Sequence, residues 1–362
     1  MTMAILLTGA TGLLGRAVLA RLLAADANMR AFVLVRDADR WTSSSRGLLG
    51  ADRVTPIVGD LCAEGLGLDA SVRHALHRTV SGVVHLAADT TFSRPLAQAR
   101  AVNTEGTRRV LELASDCTSS PRVAYVSTAF VAGKRIGVIG EGDAEHDAGW
   151  ANAYEQSKYE AEALVRAYAS DWTILRSSTI VCDDLGGSVT QINAVHRALQ
   201  LYRNGLAAMM PGVAGSTVDV VTTSYVGDAI ARLAFHDDLD RKSVHLCAGA
   251  GALPLTDLLD LTWERWALDP AWRRRGIPRP ALADLRTYAL FERSVDEVGD
   301  ASLRRVARAL SHFAPQLAMP KRFDTTTADA LLGAPAPDVR DFWIPMIDCL
   351  TAANFGSARR AA

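Results

Sequence analysis

The sequence predicts an α/β protein, a doubly wound parallel sheet with a smaller, mainly helical C-terminal part. Three observations lead there. Short apolar runs alternate with helical patterns from Met3 to Cys247, the pattern of strand–helix–strand units whose strands are buried on both faces. The first run leads straight into a glycine-rich turn and then a helix. Beyond Leu255 the pattern is helical, over Leu255–Ala267, Ala281–Phe291, Ala301–Phe313 and Asp338–Ala353. A chain of 362 residues, 49% hydrophobic and 22% charged, has ample core for one large domain or two smaller ones.

The elements follow in order. Met3–Leu7 is a strand, Thr8-Gly9-Ala10-Thr11-Gly12-Leu13-Leu14-Gly15-Arg16 a turn, and Ala17–Ala25 a helix. Glycines here allow a tight turn and close backbone approach to a pyrophosphate, whose charge meets the helix N-terminus. The spacing is G-x-x-G-x-x-G. Arg30–Val35 is the second strand and ends at Arg36. That is about 20 residues past the glycines, where an acid would hold the ribose hydroxyls of NAD. A guanidinium suits a 2′-phosphate instead, so Arg36, with Arg16 as a second contact, points to NADP(H), although Asp37 adjoins it.

Val54–Val58 leads into Gly59-Asp60-Leu61, where Asp60 is placed to accept from an adenine amino group. Val83–Ala87 is a fourth strand; the small Ala87 and Ala88 let a cofactor ribose lie against its end, and His85 within it reads as structural. Leu96–Ser115 is a helix containing Asn103, and Val123–Val126 a fifth strand running into Ser127-Thr128. The Thr128 hydroxyl, at a strand's carboxyl end, is placed to hydrogen-bond a substrate carbonyl. Asn152–Glu162 is helical and holds Tyr154 and Lys158 four residues apart, on one face. The ammonium beside the phenol is expected to lower the tyrosine pKa and tune it for passing a proton to or from an oxygen. Gln191–Asn204 reads as a helix, Gly205–Gly215 as a loop, Val218–Val221 as a strand, Tyr225–Phe235 as a helix and Val244–Cys247 as the last strand. Together these give a Rossmann-type sheet with ligands at the strands' carboxyl ends.

Composition excludes other classes. A net charge of -1 offers no field for nucleic acid or a membrane surface. No stretch reaches the roughly 20 apolar residues of a membrane span, and the run Ala4–Leu7 is too short for a signal peptide. Five cysteines without paired or metal-like spacing suit reduced thiols in a cytoplasm, and no metal site is expected. Cys182 has no identifiable base that would make it a nucleophile.

The stretch Thr8–Gly15, Gly59-Asp60-Leu61, His85–Ala88, Asn103, Ser127-Thr128-Ala129 and Tyr154–Lys158 resembles, in order and spacing, the extended short-chain dehydrogenase/reductases over roughly the first two-thirds of the chain. The resemblance implies that Thr128 is the catalytic hydroxyl, Tyr154 the general acid/base, and Lys158 the residue that tunes it and binds ribose. It adds Leu61 and Asn103 to the cofactor contacts, with Thr8, Gly9, Thr11, Gly12, Leu13, Leu14 and Gly15 of the turn. Val84–Phe92, Val126–Gly133 and Asn152–Lys158 further resemble fatty acyl-CoA reductases and the terminal thioester reductase domains of carboxylic acid reductases and nonribosomal peptide synthetases. Members reduce an acyl thioester, on coenzyme A or a carrier protein, with NADPH to the aldehyde and sometimes the alcohol. In Leu175-Arg176-Ser177, Ser177 stands where the family usually has a proline, beside the nicotinamide.

By this resemblance residues 1–185 form the NADP(H)-binding domain, rejoined by 216–248, and residues 186–215 and 249–362 form a substrate-binding cap. Lys321-Arg322-Phe323-Asp324 loosely resembles the start of the C-terminal segment of fatty acyl-CoA reductases. Ile192, Val195, Leu199, Leu201, Leu206, Met209 and Met210, with Leu258, Leu259, Leu261 and Trp263, supply apolar surface for an acyl chain where they face the cleft, and plain core elsewhere. The basic stretch Trp272–Arg279 is either a solvated loop or a dock for phosphates of coenzyme A or an acidic carrier. On the same fold, a nucleotide-sugar epimerase/dehydratase or a hydroxysteroid-type alcohol dehydrogenase remains as an alternative, and from another class a non-catalytic NADP(H)-binding sensor.

Overall fold

A computed structural model of the chain describes residues 3–299 except 208 and 214, residues 304 and 311, and residues 314–355. The helix expected over Ala301–Phe313 lies outside them, apart from Arg304 and Ser311.

The apolar runs become seven parallel strands. They are β1 (Ala4–Thr8), β2 (Arg30–Val35), β3 (Val54–Val58), β4 (Gly82–His85), β5 (Arg122–Thr128), β6 (Trp172–Ser177) and β7 (Lys242–Leu246). Their order is β7-β6-β5-β4-β1-β2-β3, with every pairing parallel. The chain therefore winds outward from β1 to β3, then crosses back to β4 on the other side of β1. The crevice outside the carboxyl ends of β1 and β4 is the topological switch point where ligands bind. Central strands are buried along their length, whereas edge strand β3 is largely exposed.

One face of the sheet packs against helices Leu13–Ala25 and Thr223–Leu233, through Val18, Leu19, Val226 and Ile230. That core runs on into the C-terminal helices Leu255–Ala267 and Val339–Ala352, through Leu258, Trp266, Phe342 and Met346, so the C-terminal part is fused to the sheet. The opposite face is covered by helices Glu105–Ser115 and Ala153–Arg166, through Val110, Leu113, Ala161 and Val165. Among the described residues no helix is long and apolar enough to cross a membrane.

Some boundaries differ from expectation for tertiary reasons. The single helix expected over Leu96–Ser115 is two, Leu96–Asn103 and Glu105–Ser115, divided at Thr104, whose hydroxyl donates to Ser157 O at 3.0 Å. The expected loop Gly205–Gly215 contains a strand, Met209–Pro211, that pairs with Ala281–Ala283. The following helix accordingly starts at Leu285, where Asp284 caps it by accepting from Thr287 N at 2.7 Å. The strand expected at Val218–Val221 is divided around Asp219, whose carboxylate accepts from Ala248 N and Gly249 N.

Helix Ala153–Arg166 is tied to β6 by a buried ion pair. Arg176 is 1% exposed and donates from Nε and Nη2 to the two oxygens of Glu162, at 3.0 and 2.9 Å. Arg166 adds a bond to Glu162 Oε2 at 2.6 Å. Burial alone would raise the Glu162 pKa; the Arg176 and Arg166 charges and the hydrogen bonds outweigh it and hold the carboxyl at about 2. Arg176→Leu removes one partner and leaves a buried carboxylate short of charge, so it should destabilise the fold by about 3–5 kcal/mol, read as a lower urea midpoint at pH 7.

Candidate active site

Two adjoining cavities, about 460 and 360 Å³, open along the carboxyl edge of β1, β4 and β5. The glycine turn separates them. Gly9 has φ 79°, and a Cβ there would lie 2.8 Å from Ala87 N. A Cβ on Gly15 would lie 2.1 Å from Gly9 O, so the helix can approach the turn only without a side chain. Helix Leu13–Ala25 begins with no side-chain cap and no acid in its first turn. Its uncapped N–H groups and its dipole make an anion site beside the turn. Thr8 lines the first of these cavities, and its hydroxyl bonds His85 Nδ1 at 2.6 Å and accepts from Ala87 N at 3.1 Å, joining the ends of β1 and β4. His85 also bonds Thr107 Oγ1, and burial holds its pKa down to about 3, so the ring is neutral and structural.

The first cavity lies at the carboxyl ends of β1 to β4. Arg36, Asp60, Leu61, Ala87 and Ala88 line it with Gly9, Thr11 and Gly12. Asp60 also accepts from Cys62 N at 2.9 Å. Asp37, exposed beside Arg36, has a structural role. It caps helix Ala38–Ser44, accepting from Asp39 N and Arg40 N.

The second cavity holds Leu13, Leu14 and Gly15 on one wall and Thr128, Tyr154, Lys158 and Ser177 on the other. Thr128 and Ser177 are paired across β5 and β6 at the strand ends, so serine keeps the strand register where the resemblance leads one to expect proline. Lys158 is 2% exposed; its Nζ donates to Val126 O at 2.8 Å and lies 4.0 Å from the Tyr125 ring centroid. Burial lowers its pKa to about 7, with Glu162 one turn further along the helix pulling the other way. The expected lowering of the Tyr154 pKa is not found. Burial pushes it up to about 12, against the hydrogen bond with Thr128, and the Glu155 carboxylate adds to the rise. Desolvation of the phenolate outweighs the tuning that i,i+4 spacing suggests. The result is a protonated donor at neutral pH.

Two expected cofactor contacts sit elsewhere. Asn103, 1% exposed, lines neither cavity. Its amide donates to Asp89 O and Ser157 Oγ and accepts from Asp89 N, tying the segment after β4 to the Tyr154 helix. Arg16 is exposed and lines, with Trp41 and Arg46, a neighbouring groove that shares Thr11 with the first cavity and Leu13 with the second. Residues the sequence did not single out complete the second cavity. Phe92 stacks on Tyr154 at 5.5 Å between centroids and meets Phe130 edge-on at 6.2 Å. Gln191 and Asn193 close the far side. Just beyond them Val195, Leu199, Met210, Leu258, Leu259 and Trp343 line a small, almost wholly apolar slot of about 70 Å³. Of the other apolar positions, Leu201, Met209, Leu261 and Trp263 pack into the core and Leu206 is exposed. Cys182 is buried and its thiol is pushed up to about 12 by burial, which leaves it protonated.

The fold and this site define an extended short-chain dehydrogenase/reductase with a nicotinamide dinucleotide site at the switch point. A family model described as male sterility protein, an NAD-binding family, matches residues 7–230, and the chain belongs to that family. It is 27% identical to fatty acyl-CoA reductase 8 of Arabidopsis thaliana over 38% of this chain and 33% of the relative. It is 29% identical to a linear gramicidin synthase polypeptide of Brevibacillus parabrevis over 67% of this chain and 5% of that protein. The chain thus spans a third or less of the length of these relatives. Its fold matches the terminal R domain from the myxalamid PKS-NRPS biosynthetic pathway with a TM-score of 0.78, at 24% identity, over 98% of this chain and 92% of the other.

The depressed Lys158 pKa makes a thermodynamic prediction. Between about pH 7 and 10 the unfolded chain holds a proton on this lysine that the folded chain has lost, so stability gains from it as pH rises through that window. Lys158→Met should flatten that part of the stability-versus-pH curve relative to wild type, measured by urea denaturation at about pH 6.5, 8 and 9.5.

Proposed function

We propose that the protein reduces an acyl thioester, carried on coenzyme A or a carrier protein, to the aldehyde with NADPH, and on to the alcohol when the aldehyde rebinds. The observation that carries this is the make-up of the second cavity. Its donors, Thr128 and Tyr154, lie against the aromatic wall of Phe92 and Phe130, with an apolar slot beyond and, among the described residues, Lys158 as the one basic side chain in the lining. A nucleotide sugar brings a diphosphate, for which Lys158 is the one basic side chain among the described lining residues, although Thr90, Ser178, Thr179, Gln191 and Asn193 suit hydroxyls; an alkyl or aryl acyl group matches the aromatic wall and the slot, each buried methylene contributing about 0.8 kcal/mol. The names of the fatty acyl-CoA reductase and peptide-synthetase relatives agree with this chemistry.

The glycine turn and the uncapped helix N-terminus would hold the pyrophosphate, Asp60 and the strand ends the adenosine, and Lys158 the ribose beside the nicotinamide. When bound, the dinucleotide supplies the hydride. Addition to the thioester carbonyl places negative charge on its oxygen. Thr128 and Tyr154 donate to that oxygen, and Tyr154, protonated at neutral pH, gives up its proton. Collapse of the resulting hemithioacetal breaks the carbon–sulfur bond and releases aldehyde and thiol. Arg36 selects NADPH through the 2′-phosphate, with Asp37 occupied in capping. Residues 1–185 and 216–248 act as the dinucleotide-binding domain, and 186–215 and 249–362 as the substrate cap. Five free cysteines suit a reducing, cytoplasmic compartment.

A screen of NADPH oxidation across acyl-CoA chain lengths tests the activity. In it, Tyr154→Phe should lower kcat by about 10²–10⁴-fold while NADPH still binds. Wild-type rates in a folded Tyr154→Phe protein would remove the phenol from the mechanism. The unmutated protein should prefer NADPH over NADH by at least about tenfold, roughly 1.4 kcal/mol, and Arg36→Ala should erase most of that preference. Equal use of both cofactors would show that Arg36 faces no phosphate.

A further inference from the structure

Three buried polar side chains, Glu155, Gln316 and Lys321, join the C-terminal part to the segments that carry the donors. Glu155, next to Tyr154, is fully buried. Its Oε2 accepts from Ala151 N at 2.9 Å, and its Oε1 accepts from Asn152 Nδ2 at 2.9 Å and from Gln316 Nε2 of the C-terminal part. Lys321, 8% exposed, donates from Nζ to Gly133 O at 2.5 Å. Gly133 ends the single 3-10 turn that starts at Thr128, whose own hydroxyl caps that turn by accepting from Phe130 N at 3.2 Å. Lys321 is held in place by its strand, Lys321–Phe323, which pairs in parallel with Gly137–Ile139, and by its carbonyl, which accepts from Thr217 Oγ1 at 2.7 Å.

The geometry points to a positioning latch: through Gln316 and Lys321 the C-terminal part fixes the Tyr154 helix start and the Thr128 turn against each other, and so sets the spacing of the two hydroxyls. The inference rests on the assignment of Thr128 and Tyr154 as donors under the proposed function. The electrostatics agree. The charged groups facing Lys321 are Glu155 and Arg135; burial lowers its pKa to about 8, Glu155 resists this and Arg135 adds to it. Burial raises the Glu155 pKa, and the hydrogen bond from Ala151, the Lys321 charge, and the bonds from Gln316 and Asn152 oppose the rise. Burial works against both charges, and each opposes that effect on the other. None of the three side chains lines the two cavities, so the latch acts on substrate only through the placement of the donors.

The test uses the full chain with Lys321→Met, Lys321→Arg and Gln316→Leu. Steady-state kinetics, the thermal midpoint and backbone hydrogen exchange over residues 129–133 and 151–158 are measured for each. A latch predicts kcat about 10–100-fold lower in Lys321→Met, the range that sub-ångström to ångström misplacement of donors produces. KM for NADPH should stay within about twofold, and Lys321→Arg should recover at least about a third of the lost kcat. Exchange should quicken in both segments together in Lys321→Met and Gln316→Leu. Unchanged kcat in a folded Lys321→Met protein overturns the latch. So does a loss of kcat matched by a rise in KM for NADPH and a fall in thermal midpoint that arginine does not rescue, which is the signature of general loosening. Should the wild-type protein reduce no thioester, the proposed function falls, and the exchange measurement, which needs no substrate, still decides the latch.

Discussion

The structure depends on one buried polar face of helix Ala153–Arg166. Tyr154, Lys158 and Glu162 follow one another at intervals of four residues, so all three point at the end of β5 and at β6. Glu162 takes both forks of Arg176. This fixes the helix against the strand whose last residue, Ser177, pairs with Thr128. With the helix so placed, Lys158 reaches Val126 O and the Tyr154 ring meets Phe92 at the cavity wall. A lysine this deeply buried is unfavourable alone, and the Glu162 charge one turn away offsets part of its desolvation. The same ion pair thus serves packing and electrostatics.

The two halves of the crevice have opposite characters for the same topological reason. Where β1 and β4 part at the switch point, the turn Gly9–Gly15 and the helix behind it present backbone donors to an anion. Where β5 and β6 end, side chains line the crevice: hydroxyls that include Thr128, Tyr154 and Ser177, the amine of Lys158, and the rings of Phe92, Phe130 and Tyr154. Under the proposed function, phosphate recognition comes from uncovered N–H groups and proton donation from buried side chains. The helices beyond β7 share a core with the sheet rather than standing apart from it.

Much of this was legible from residue order. Strands of a parallel sheet read as continuous apolar runs between turn residues, so Arg30–Val35 and Val54–Val58 were located to the residue, as was helix Leu255–Ala267. The glycine turn carries a backbone requirement that no other residue type meets, and the Tyr154–Lys158 spacing forces a shared face. What was not legible depends on distant partners. The divide at Thr104 follows from Ser157, some fifty residues on, and the strand at Ala281–Ala283 exists only because Met209–Pro211 lies beside it. Asn103 stands in order among the motif residues yet binds Asp89 and Ser157, which spacing alone does not separate from a ligand contact. The direction of the Tyr154 pKa turned on burial, and an i,i+4 pattern gives the neighbour without the solvent. The contacts of Gln316 and Lys321 carry no local signal, since their partners lie more than 150 residues away.

The most direct measurement is mass spectrometry of the products formed from a long-chain acyl-CoA and NADPH that carries deuterium at its transferable position. The account predicts free coenzyme A and the matching aldehyde with one deuterium on its carbonyl carbon, absent in Tyr154→Phe. No deuterated aldehyde or alcohol from any thioester, alongside turnover of a nucleotide sugar or a steroid alcohol by the same preparation, would contradict it.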